Sequence, residues 1–149
     1  MVLNQATDYA LRMTLFLAKQ KEGSVVDATT IRSSEVIPVR FLFKIMRSLS
    51  KVGIVQSARG KNGGFKLGRS SEKISIYDII EAIEGPIALN HCLVDSDKCS
   101  KGATGYCIVH KELAKLREEL IRKLQDVNLK MLVDLADEAE AEIKISKPS

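Results

Sequence analysis

Cys92, Cys99 and Cys107 fall within sixteen residues of one another, and His110 follows three positions after the last. Thiolates and an imidazole at that spacing are ligand chemistry for a soft or borderline metal. The intervening residues, LVDSDK and SKGATGY, are rich in Gly, Ser, Thr, Asp and Lys. They bury too little surface to offset the entropy of a fixed loop, and a thiolate-bound centre would supply the missing stabilisation. Three chemistries fit the pattern: an iron-sulfur cluster, a structural zinc, or thiols alone, as a flexible loop or a regulatory disulfide such as Cys99 to Cys107. Clustered cysteines in an intracellular chain point to metal or catalysis, and their odd number argues against a disulfide framework.

The elements that must position these groups lie on either side. The chain has 149 residues, enough for one core plus an extension for a partner. It opens MVLNQATDYALR, without a secretory pattern, and no stretch approaches the ~18 apolar residues of a membrane span, so a cytoplasmic location is expected. The net charge of +4 is unevenly spread: residues 1–69 carry 12 Lys/Arg against 4 Asp/Glu, and residues 70–149 carry 11 against 15. From Arg40 to Arg69 there are eight basic residues and no acid. A solvated face mixes signs, so this block reads as a polyanion footprint, phosphate backbone first. A membrane surface would need a continuous amphipathic helix with bulky apolar anchors, which the block lacks.

Apolar positions at Ala6, Tyr9, Ala10, Met13, Phe16 and Leu17 predict a helix from about Gln5 to Lys21, closed by Gly23. A shorter helix is expected around Thr29 to Ser34, and a third from Pro38 to Val52 with Pro38 at its first position. In this third helix Leu42, Ile45, Met46 and Leu49 form the buried face, and Arg40, Phe43, Lys44, Arg47 and Lys51 the opposite one. After Gly53, two short strands, Ile54 to Ala58 and Phe65 to Leu67, flank Lys61-Asn62-Gly63-Gly64, a hairpin signal. Two helices with a tight break, the second basic, and a basic hairpin make a winged helix-turn-helix. Arg or Lys on such a helix reaches guanine edges or phosphates, Phe43 can touch a thymine methyl, and Arg59 can enter a minor groove. The glycines of the hairpin do not form a phosphate-binding loop, since no Lys-Ser or Lys-Thr follows at the required spacing. With 5% aromatics and no Trp, a single-strand stacking platform is not supported.

Ser75-Ile76-Tyr77-Asp78 reads as a capping box opening a helix to Glu84, stopped by Gly85-Pro86. Beyond the cysteine loop, Thr104 can cap a helix with Cys107 in its first turn, where the helix N-terminus favours a thiolate, and His110 on the same face. His110 reads equally well as an ordinary polar residue of the outer face. Leu116, Leu120, Leu124, Val127, Met131 and Leu135 form a stripe that predicts one helix of roughly 30 residues, ~45 Å long, more than a domain this size covers alone. A dimerisation helix follows, and a two-fold dimer suits a palindromic operator.

These residues resemble the Rrf2 family of bacterial winged-helix transcription regulators, in particular its IscR-like iron-sulfur branch. The resemblance spans nearly the whole chain: Thr7-Asp8-Tyr9-Ala10-Leu11-Arg12 in the first helix; Ile37-Pro38, Leu42, Leu49 and Gly53 around the reading helix; the wing from Ser57 to Leu67; and the three cysteines. It implies a mainly α fold, a winged helix-turn-helix DNA-binding domain with a long C-terminal dimerisation helix. It further implies a homodimer that binds double-stranded DNA through Arg40, Phe43, Lys44, Arg47, Arg59 and Lys61. The implied cluster ligands are Cys92, Cys99, Cys107 and His110, with Asp8 the alternative fourth ligand, as in the nitric-oxide-sensing branch; 2Fe–2S is favoured over 4Fe–4S. Asp8 also reads as an acid satisfying the dipole at a helix N-terminus. The cysteine intervals, six and seven residues, are longer than the family's usual ones, and Phe43 stands where IscR-like members carry an acid used in discriminating DNA sites.

The expected organisation is a DNA-binding domain over residues 1–85, a cluster loop over 86–106, and a dimerisation helix with its tail over 107–149. The expected function is a cytoplasmic transcription repressor controlled by an iron-sulfur, redox, iron or nitric-oxide signal, with no catalytic residues, small-molecule substrate or membrane. A second reading from another class is a thiol-redox or zinc-binding protein whose basic head binds some other anion.

Overall fold

The computed structural model describes residues 2–146; Met1 and the last three residues of the expected tail lie outside the described residues. Helix α1 (Gln5–Ala18) opens on Asn4, whose side chain accepts the Thr7 N–H at 2.9 Å. It stops three residues short of Lys21: the Lys19 N–H still closes on the Leu15 carbonyl, and the chain then turns through Gly23 in the left-handed region (φ 77°). Asp27 caps α2 (Ala28–Glu35). Val36 closes α2 in the left-handed conformation (φ 54°), which costs a β-branched residue of order 1–3 kcal/mol. That bend sets α3 (Val39–Lys51) across α2, with Pro38 outside the helix as its cap and not at its first turn.

Leu42, Ile45, Met46 and Leu49 of α3 are buried as their spacing requires. They pack with Ala10, Met13 and Leu17 of α1, Ile31 of α2, and Ile54, Ile74, Ile79 and Leu129. Each fully buried Leu or Ile contributes roughly 1.5–3 kcal/mol, which makes this cluster the main stabilising term of the head. Strands β1 (Val55–Ala58) and β2 (Gly64–Leu67) pair antiparallel, with Val55 opposite Leu67 and Ala58 opposite Gly64. A bridge between Val26 and Phe65, unforeseen in the sequence, pins the hairpin to the α1–α2 connection. It requires glycine at 64, where a Cβ would stand 2.2 Å from the Val26 carbonyl oxygen.

Helix α4 (Ile76–Glu84) carries the expected capping box: Ser75 Oγ accepts the Asp78 N–H, and the Asp78 carboxylate accepts the Ser75 N–H. The C-terminal region departs from expectation. The stripe is not one helix but two, α5 (Ile108–Asp126) and α6 (Leu129–Ser146), separated at Val127-Asn128. The break is held by the head itself: the Ile76 N–H donates to the Val127 carbonyl and the Leu129 N–H to the Ile74 carbonyl, both at 2.9 Å. Leu129 is wholly buried in the core, and Asn128 caps α6 by accepting the Met131 N–H. Helix α5 packs on α4 while α6 returns along α1, where Lys19 pairs with Glu140 at 2.6 Å.

Because Leu129 is the peg of this joint, Leu129→Ala should destabilise the protein by about 2–5 kcal/mol. Urea unfolding followed by circular dichroism measures it; a loss below about 1 kcal/mol would show that the joint does not hold the two halves together.

Candidate functional site

Two sites emerge, one on each side of that joint. The first is the solvent face of α3 with the wing. Arg40, Phe43, Lys44, Arg47, Arg59 and Lys61 are all exposed, and Arg40 lies over the Phe41 ring at 5.1 Å. Among the described residues none of these five cations forms an ion pair, whereas Arg69, at the end of the same basic block, is committed to Asp78. Uncompensated cations on one face raise the local positive potential and leave their donors free for phosphates. The turn presenting Arg59 and Lys61 is closed by the Gly63 N–H on the Gly60 carbonyl at 3.0 Å. A side chain at 63 would collide with the Ala58 carbonyl, at 2.6 Å from its Cβ. Phe65, at the middle of β2, approaches Phe43 with ring centroids 6.4 Å apart, which links the wing to the reading helix. The helical spacing places Phe43 on this face but says nothing of its partner; the sign of Phe65 in the sequence is an apolar residue on a two-stranded ribbon with no second sheet to cover it.

The second site is the cysteine segment between α4 and α5. It is built from two short turns, His91–Leu93 and Ser96–Lys98, and contains more apolar anchorage than its composition suggests. Ile87 and Ala103 are both buried, and the Ala103 carbonyl receives the N–H groups of Tyr106 and Cys107. Helix α5 is capped by Cys107 itself and not by Thr104: its sulfur accepts the His110 N–H at 3.4 Å. A thiol is outside the usual set of capping side chains, so the pattern pointed to the nearest hydroxyl. Cys92 Sγ stands 3.5 Å from His110 Nδ1, so His110 gathers two of the three cysteines, one at its ring and one at its backbone.

Cys99 makes a contact of its own. Its sulfur accepts the Ala103 N–H at 3.4 Å, and this bond, followed by that from Lys101, holds its thiol below the ordinary range. All three thiols are free and partly buried. Asp8 is in the first turn of α1, paired with Arg12 at 3.6 Å, while Arg12 also donates to the Glu35 carbonyl. Among the described residues no three His, Cys, Asp or Glu side chains come together closely enough to hold a metal. Three thiols, two of them accepting backbone N–H bonds, and an imidazole suit an iron-sulfur centre in donor type, and the four groups would have to draw together to hold it.

A three-helix head with a basic reading helix and a hairpin wing defines a winged helix-turn-helix DNA-binding protein. The chain matches the family model described as "Rrf2: Iron-dependent Transcriptional regulator" over residues 3–135. It is 33% identical over 137 residues to a protein of Aquifex aeolicus (strain VF5) assigned as an HTH-type transcriptional regulator, covering 92% of this chain and 94% of that one. Its fold is similar to that of IscR from T. potens, with a TM-score of 0.73 at 21% identity, covering 93% of this chain and 90% of that one. It is equally similar to CymR, the global cysteine regulator of B. subtilis, with a TM-score of 0.73 at 24% identity, covering 91% and 98%. The chain belongs to the Rrf2 family and is a transcriptional regulator, not an enzyme. Among the described residues no helix is long and apolar enough to cross a membrane.

The backbone bonds on Cys99 stabilise its thiolate, so the anion persists to lower pH than in an ordinary cysteine. In metal-free protein, alkylation of Cys99 by iodoacetamide, mapped by mass spectrometry, should reach its half-maximum at a lower pH in the folded protein than in the same protein unfolded in urea. Equal midpoints, or a higher one in the folded protein, would contradict the loop geometry described for Cys99.

Proposed function

We propose that this protein is a cytoplasmic, homodimeric repressor whose hold on a palindromic operator is set by an iron-sulfur cluster at Cys92, Cys99, Cys107 and His110. The observation that carries the DNA-binding part is the set of exposed, unpaired cations on α3 and the wing. Residues 1–85 form the reading head, 86–106 the cluster loop and 107–149 the dimerisation region. In support of a dimer, α5 and α6 leave Leu116, Met131 and Leu135 exposed to 54%, 44% and 58%, apolar area that a second copy can cover.

When bound, the cluster would supply a redox-active and iron-dependent centre, 2Fe–2S favoured over 4Fe–4S. The family description as iron-dependent regulators and the donor types support it. His110 is favoured over Asp8 as fourth ligand because it already contacts Cys92 whereas Asp8 is paired with Arg12. The chain's own residues carry the state of the loop to the head. Arg117 of α5 donates to the Ile87 carbonyl at the start of the loop. Glu84, at the end of α4, accepts the Thr7 hydroxyl at 2.6 Å and the Asn4 N–H at 3.0 Å, so a shift of α4 is felt at the start of α1. The rival reading, thiols that sense by oxidation alone, rests on the same three free cysteines.

Fluorescence anisotropy on duplexes selected from a random library by the full-length protein tests the head. Arg59→Ala and Lys44→Ala should each weaken binding, and loss of one phosphate contact should flatten the dependence of log K on log salt by about one unit. Unchanged affinity and salt dependence in both variants would overturn the assigned surface. Anaerobic reconstitution tests the loop: Cys99→Ala and His110→Ala should lose iron or change the visible spectrum while Asp8→Ala does not. A normal cluster in Cys99→Ala, or a zinc-only wild type, would replace the iron-sulfur reading.

A further inference from the structure

Phe43 is 51% exposed at the centre of the basic face of α3, between Arg40, Lys44 and Arg47. An aromatic ring left half in water on a DNA-facing helix costs hydrophobic free energy unless something covers it. The like-signed cations around it repel the same face of a second copy and attract a polyanion. The ring is also not loosely held, since Phe65 of the wing lies 6.4 Å away in tilted contact. Beside it is a notch of about 80 Å³, walled by Val39, Leu42 and Phe43 of α3 and by Ala28, Thr29 and Arg32 of α2. That is far below the ~300 Å³ and upward of small-molecule pockets, and its walls are mostly apolar.

We propose that this notch is a thymine-methyl site, in which Phe43, backed by Val39 and Ala28, seats the 5-methyl group of a thymine in the major groove and makes that thymine a determinant of operator choice. The inference rests on the DNA-binding reading and deepens it. Among the four bases, thymine alone presents a methyl group in the major groove, where the others present donors and acceptors. Arg32, at the rim of the notch, keeps its positive charge beside the same base pair or its phosphate. Phe43 therefore acts as a specificity residue by apolar contact, while the surrounding cations supply affinity that does not depend on the base.

The test is a cycle of protein variant against DNA methyl group. A duplex selected by the full-length protein is compared with the same duplex carrying deoxyuridine in place of every thymine, by anisotropy at fixed salt. Wild-type affinity should fall about fourfold for each methyl seated, the equivalent of roughly 0.8 kcal/mol per buried methyl-sized group. Phe43→Ala should bind both duplexes more weakly and with equal affinity, and Phe43→Leu, which keeps an apolar wall, should retain part of the discrimination. Circular dichroism on both variants separates a lost contact from a lost fold, and the deoxyuridine comparison on wild type stands without either. If no duplex is selected above non-specific binding, the DNA-binding reading falls and this inference with it. If the selected duplex is bound equally well with thymine or deoxyuridine, or Phe43→Ala keeps the wild-type ratio, DNA binding stands and the methyl site is overturned.

Discussion

The architecture depends on one short stretch of backbone pairing. Residues Ile74–Ile76 and Val127–Leu129 exchange two hydrogen bonds, and Leu129 is wholly buried between them and the head. Without this pairing the leucine stripe would run on as a single rod, leaving the core one side chain short. With it, the chain folds back: α5 lies on α4, α6 lies on α1, and the cysteine segment is tethered at both ends, by the Gly85 turn and by the Cys107 cap. A loop closed between two packed helices has few conformations left, so its thiols are presented in a restricted space despite a composition that would otherwise leave them free. The same closure means that any change of loop shape acts on α4 and α5 together.

Charge is distributed according to the same division. Acids concentrate in the C-terminal half and pair locally, as in Lys115–Glu112 and Lys130–Asp134, or reach back to α1 through Lys19. Such exposed pairs contribute little to stability and are screened by salt. On the reading face the cations are left without acidic partners among the described residues, at the cost of mutual repulsion that a polyanion would relieve. The head is thus held together by its apolar core and presents its charge outward.

The reading helix and its capped successor were legible because each is fixed by local chemistry. Leu42, Ile45, Met46 and Leu49 keep helical spacing, and Ser75 and Asp78 satisfy each other's backbone regardless of what surrounds them. The hairpin was legible from its glycines, but the Val26 bridge that anchors it was not, since it pairs residues far apart in the chain. The break at Val127-Asn128 was hidden for a similar reason. Apolar spacing of three and four runs unbroken across it, there is no Gly or Pro, and the only local sign was Asn128 in a capping role. At the cysteine site, residue types were readable and geometry was not. The capping use of Cys107 sulfur and the approach of Cys92 to His110 follow from how the loop closes, which no spacing rule encodes.

Under the proposed function the cysteine loop governs the reading head. The direct measurement is the operator affinity of anaerobically reconstituted protein against the same protein stripped of metal and kept reduced, in wild type and in a variant with Cys92, Cys99 and Cys107 all replaced by Ser. The two wild-type forms should differ by at least the 5-fold that marks a coupling of about 1 kcal/mol, and the variant should give one affinity under both treatments. Equal affinities for the two wild-type forms, with iron demonstrably bound in one of them, would contradict it.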